Sequence, residues 1–134
     1  MTNETKGGWQ SRALSQTFLG GVLGALPGAD LQLAVIGKII EQWNPEPERV
    51  LDLGCGNGIL GRFLLEQFHS AKALFLDFSE PLIEAARKNV VTLVNATVAV
   101  ADFGSPQWLE VDRPHGPFDL VVSGFAIHHQ PTEF

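Results

Sequence analysis

One stretch constrains this chain more than any other: LDLGCGNGILG, from Leu51 to Gly61, with four glycines, an aspartate and the only cysteine of the sequence. An apolar run leads into it and a helical pattern leaves it. A turn this rich in glycine lets backbone amides come close to a bound small molecule, and it marks the strand-to-helix junction of an α/β fold. Two kinds of ligand fit such a turn: a nucleotide pyrophosphate, or a group carrying positive charge.

The pattern on either side predicts the architecture. Residues 1–12 are polar. A weak helical pattern runs from Leu14 to Leu26, loosened by Gly20, Gly21 and Gly24. Asp30 is expected to cap a better helix, with Leu33, Ile36, Ile39, Ile40 and Trp43 at helical spacing. Asn44-Pro45-Glu46-Pro47 ends it. Strands are then expected at 49–53, 73–77, 97–101 and 118–123. Helices are expected at 58–68 and from Ser79 and Pro81 to about Val91. Apolar strands alternating with helices make a mostly parallel sheet covered on both faces, the Rossmann-like, doubly wound α/β class. The expected division is an N-terminal helical segment, 1–47, followed by a ligand-binding domain, 48–134.

Composition narrows the partners. The net charge of the 134-residue chain is −6, and no cluster of Lys and Arg occurs. A polynucleotide partner would call for a basic stripe, so nucleic acid is not expected. A single cysteine forms no internal disulfide and fits a reducing compartment. No apolar core follows a basic start, and the run Phe18–Leu26 is too short to cross a bilayer. No membrane partner and a cytoplasmic location are therefore expected.

The glycine turn reads two ways. Gly56 to Gly61 satisfies G-x-G-x-x-G, and Asp77 follows Gly56 by the interval at which dinucleotide-binding proteins place a ribose-binding acid. Asp52, two residues before Gly54, weighs against that reading. A carboxylate beside the turn would repel a pyrophosphate and favour an ammonium or sulfonium group.

At this point the sequence resembles the class I S-adenosylmethionine-dependent methyltransferases. Val50 to Gly58 is similar to the family's first motif, Leu74 to Ser79 to its second, Val100 to Phe103 to its third, and Phe118 to Ser123 to its fourth. The resemblance covers roughly residues 49–130 and implies S-adenosyl-L-methionine as cofactor. By position, it places Gly54 and Gly56, with Cys55 between them, against the methionine part, with Asp52 near it. It gives Asp77 the ribose hydroxyls, Asp102 the adenine amino group and Phe103 a face of the ring. Phe78 and Ser123 complete the implied set. Asp119 reads as a residue that merely opens a strand, Gly58 and Gly61 as glycines of turn geometry and close packing, and Cys55 as a small buried side chain. Trp9, Trp43 and Trp108 read as core or lid surface.

Methyl transfer from a sulfonium needs alignment of donor and acceptor, and a base only where the acceptor loses a proton. His128 and His129, just past the fourth strand, are the candidates for that base; no metal-ligand spacing is present. Enzymes of this family that methylate base amino groups resemble one another in an Asn- or Asp-Pro-Pro-aromatic tetrad after the fourth strand. Here the place reads Ser123-Gly124-Phe125-Ala126, which points to a small-molecule acceptor. Two other readings stand beside this one, an NAD(P)-binding Rossmann protein and a non-catalytic binding or interaction domain.

Two expectations concern the ends of the chain. Residues 9–26 are expected to form a lid over the cofactor. The family's fold has seven strands, and this sequence stops after the fourth. A truncated methyltransferase is therefore expected, able to bind cofactor but poor in catalysis, with an open fourth-strand edge prone to self-association.

Overall fold

A computed structural model describes residues 28–124, 126 and 127. The lid expected over residues 9–26, Trp9, and the candidate bases His128 and His129 lie outside the described residues. Helix α1 spans Ala29–Trp43, β1 Arg49–Leu53, α2 Ile59–Gln67, β2 Lys72–Asp77 and α3 Glu80–Asn89. Strand β3 spans Ala96–Val100, α4 Trp108–Asp112 and β4 Leu120–Val122, with a 3-10 turn, Arg113–His115, before β4.

The four strands form one sheet in the order β3-β2-β1-β4, all parallel. Asp52 pairs in register with Phe75 on one side and Val122 on the other. From β1 the chain moves outward through β2 to β3, then returns past β1 to β4. The reversal between β1 and β4 is a topological switch point, and in open α/β sheets ligands bind outside the carboxyl ends of the strands at such a point. This is the doubly wound arrangement expected from the sequence.

Strand alternation divides the core. Val50, Ala73 and Phe75 face one way and pack with Leu64, Leu65 and Phe68 of the α2 region and Ile83, Ala86 and Val90 of the α3 region. Leu51, Leu74 and Leu76 face the other way, with Ala101, under Trp108, Val111 and Phe118. Helix α4 and the turn after it therefore cover the second face, as the return crossover requires. This element was missed in the sequence, because five residues are too few to show a helical period.

Several expected boundaries shift by a residue or two. Gly28, at φ 87°, precedes α1, and the expected cap Asp30 sits instead in the first turn, where its charge suits the helix dipole. The apolar face of α1 also differs from the expected one. Ile40 is buried and Leu33 and Ile36 are half-buried, but Ile39 and Trp43 face solvent. The cause is Gly37, whose missing side chain lets α1 approach Phe63 and Gln67 of α2, and this fixes the helix's rotation. Gln67 Nε2 donates to the Gly37 carbonyl at 3.3 Å.

At the amino ends of the strands, Asp119 holds the sheet together. Its Oδ1 accepts the Arg49 amide at 2.7 Å, and its Oδ2 accepts the Glu48 amide at 2.9 Å and the Asn44 side chain at 3.1 Å. Slight burial works against its charge, but these donors outweigh it and hold the carboxyl below its ordinary pKa. Asp119 opens β4 and lies at the end of the sheet opposite the glycine turn.

Candidate cofactor site

The parallel sheet brings the carboxyl ends of all four strands to one edge, and the glycine turn lies there between β1 and α2. Its conformation explains its composition. Gly54, Gly56 and Gly58 all have positive φ (69°, 56° and 82°), where any other L-residue is strained. A Cβ on Gly54 would collide with Ala126, and the Phe103 ring lies 3.4 Å from the same position. A Cβ on Gly56 would meet nothing within 4 Å. The turn is thus covered at Gly54 by residues from beyond β3 and β4, and open at Gly56.

Asp77, the last residue of β2, fastens the turn. Its Oδ2 accepts the Gly56 amide and its Oδ1 the Ser79 amide, each at 2.9 Å. The Cys55 amide donates to the Leu76 carbonyl at 2.8 Å. Burial raises the pKa of Asp77, and the amides of Ser79, Gly56 and Phe78 oppose the rise. A carboxylate offers about four acceptor sites, so these amides leave Asp77 able to accept from a ligand hydroxyl.

Asp52 lies beneath the turn rather than in its mouth. It is 1% exposed, and its Oδ2 accepts the Gly61 amide at 3.0 Å. Loss of solvation pushes its pKa up to about 7; the Gly61 amide opposes this and the nearby Asp77 charge adds to it. A carboxyl titrating near neutrality repels a pyrophosphate less than a fully ionised carboxylate would. The buried Cys55 thiol is pushed up by burial and by both acids, so it is a packed side chain and not a nucleophile.

The remaining candidates have local partners. Asp102 Oδ1 accepts the Gly104 amide at 2.9 Å within the loop after β3. Phe78 and Phe103 are half-buried beside the same edge. Ser123 donates its hydroxyl to the Leu53 carbonyl at 2.7 Å, which ties β4 to β1 where the site opens. The structure thus brings Asp52, Gly54, Cys55, Gly56, Asp77 and Phe103 together around one turn.

Sequence reasoning missed one partner of that turn. Asn89, at the end of α3, donates from Nδ2 to the Asn57 carbonyl at 2.9 Å. No periodicity or motif marks it, because its role depends on where α3 ends in space. Among the described residues, no group of three or more His, Cys, Asp or Glu is placed to hold a metal ion, and no helix is long and apolar enough to cross a membrane.

Comparison with known proteins agrees with this geometry. Residues 50–134 match the profile of a methyltransferase domain. The malonyl-[acyl-carrier protein] O-methyltransferase of Magnetococcus marinus is 37% identical over 87 residues, covering 62% of this chain and 29% of that protein. The trans-aconitate 2-methyltransferase of an Acidovorax species is 41% identical over 58 residues, covering 42% of this chain and 22% of that protein. The chain therefore spans less than a third of the length of either relative. A solved structure from Methanococcus maripaludis superposes with a TM-score of 0.71 at 19% identity, over 92% of this chain and 54% of the other, which shows a shared fold. With the turn, the strand order and the profile in agreement, the chain belongs to the methyltransferase domain family, the class I S-adenosylmethionine-dependent methyltransferases that its motifs resemble.

Proposed function

We propose that this chain is the cofactor-binding part of an S-adenosylmethionine-dependent methyltransferase acting on a small-molecule acceptor in the cytoplasm. The observation that carries the proposal is the fastening of the glycine turn by Asp77, with open space above Gly56. The residues fit the cofactor's chemistry. Asp77 would accept from the ribose hydroxyls, and Asp102 from the adenine amino group with Phe78 and Phe103 along the ring. Gly54 and Gly56 would present backbone to the methionine part, and Ser123 would hold the β1–β4 opening in shape. When bound, the cofactor supplies an activated methyl group for in-line displacement. The chain's own part is to orient the donor and exclude water. His128 or His129 would serve as base or orienting group where the acceptor loses a proton.

The names of the two curated relatives suggest the acceptor, since malonyl and trans-aconitate groups are both carboxylic acids. A carboxylate oxygen on a small or carrier-tethered acid is accordingly our first choice. Among the described residues β4 stands at the edge of the sheet, and such an edge would accept a further strand, whether from the rest of a longer protein or from a second copy. The test is transfer of a labelled methyl group to a panel holding a malonyl thioester, trans-aconitate and an RNA. Labelled methyl ester is the expected product. Labelled RNA would contradict the small-molecule reading, and cofactor binding without transfer to any acceptor would favour a non-catalytic domain.

A further inference from the structure

The turn with three positive-φ glycines is intrinsically loose, since glycine loses more backbone freedom on ordering than any other residue. Its affinity for a ligand therefore depends on what holds it before the ligand arrives. Its inner limb is held by β2, through Cys55 to Leu76 and Gly56 to Asp77. The Gly58 amide closes the turn on the Cys55 carbonyl at 2.9 Å. The outer limb, at Asn57, is held from another element. Asn89 Nδ2 donates to the Asn57 carbonyl at 2.9 Å, across 32 residues of sequence. The Asn89 backbone carbonyl in turn accepts Arg62 Nη1 at 3.0 Å, so α2, the turn and the end of α3 form one chain of bonds. Asn89 is half-buried, which shields its bond from competing water.

We infer that Asn89 is a positioning residue for cofactor binding: by holding the Asn57 carbonyl it keeps the outer limb of the glycine turn in its binding shape. It acts through the Asn57 carbonyl, and the inference rests on the cofactor reading given above. The neighbouring Arg62 supplies the control. Arg62 bonds the Asn89 carbonyl and not the Asn57 carbonyl, so its loss leaves the direct bond from Asn89 to the turn in place.

The test compares Asn89→Ala, Asn89→Asp and Arg62→Met with the parent in the full chain. Two readouts are used: amide hydrogen exchange without ligand, and calorimetric titration with S-adenosylmethionine. Alanine favours helix more than asparagine does, so α3 is expected to persist in Asn89→Ala. Asn89→Asp keeps the size and removes the donor. Both Asn89 variants are expected to speed exchange at the Gly56 and Gly58 amides and to weaken cofactor binding by about tenfold. Arg62→Met is expected to lower thermal stability and leave turn exchange and affinity within about twofold of the parent. Two results would overturn the inference: parental turn exchange in both Asn89 variants, or equal loss of affinity in Arg62→Met. If the parent itself fails to bind S-adenosylmethionine, the cofactor reading falls, and the ligand-free exchange still decides whether Asn89 holds the turn.

Discussion

Asp77 Oδ2 and the Gly56 amide are joined at 2.9 Å across 21 residues, so the acid that ends β2 fixes the glycine turn that follows β1. The spacing that resembles a ribose-binding acid in a sequence is thus also the spacing of a structural bond. Asp77 holds the turn and, on the reading proposed above, also accepts from the ligand; two substitutions separate these roles.

Asp77→Ala removes the bonds to the Gly56 and Ser79 amides together with the acceptor proposed for the ligand. Each charge-assisted bond contributes about 1.5–3 kcal/mol, so at least a tenfold loss of cofactor affinity is expected, together with a lower Tm. Asp77→Asn keeps one acceptor oxygen, and more of its Tm should survive than of its affinity. Titration and thermal melts on both variants check this. An unchanged affinity in Asp77→Ala would remove Asp77 from the site.

Asp52 gives a pH dependence with a defined sign. Its folded pKa of about 7 lies above its unfolded value of 3.8. Its contribution to stability is therefore full below about pH 4 and is lost as pH rises to about 7. The shift corresponds to a cost on the order of 4 kcal/mol at high pH. Asp52→Asn keeps an oxygen for the Gly61 amide without the charge. It should melt higher than the parent at pH 8, with a flatter profile between pH 4 and 7. Melts across that range decide it; a variant less stable at pH 8 would contradict the buried-charge account.

Gly61 is required by packing, not by a positive φ. A Cβ there would strike the buried Phe75 ring and lie 2.8 Å from Asp52 Oδ2. Gly61→Ala should cost about 1–3 kcal/mol, and Phe75→Leu in the same chain should recover part of it. Simple additivity in denaturant unfolding of the four proteins would show that the ring is not the obstacle.

Asp119 makes the opposite prediction to Asp77. Asp119→Ala frees the Glu48 and Arg49 amides at the amino ends of the strands and should cost about 1–3 kcal/mol. Its folded pKa is depressed, so the stability it adds is present above about pH 4 and lost as pH falls through the folded value. Cofactor affinity, read by titration under folded conditions, should stay within about twofold of the parent.

The strands were legible because Val50, Leu51, Ala73, Leu74, Phe75 and Leu76 are buried on both faces of the sheet and form unbroken apolar runs. The glycines of the turn were legible because positive φ and close approach admit little else. The orientation of α1 was not, since hydropathy cannot weigh Ile39 against the close contact made at Gly37. The direction of Asp52 was not legible either. A carboxylate at a strand end reads as a ligand contact until the Gly61 amide is found beneath it. The bond from Asn89 to Asn57 joins the ends of two elements and leaves no periodic trace.

On the reading proposed above, the turn between β1 and α2 takes S-adenosylmethionine and not a dinucleotide. Isothermal titration of the full chain with S-adenosylmethionine, its demethylated product and NAD tests it most directly, with Asp77→Ala alongside. Saturable binding of the first two ligands is expected, at least tenfold weaker in Asp77→Ala, with no binding of NAD in the same range. Tight binding of NAD with no heat from S-adenosylmethionine would contradict it.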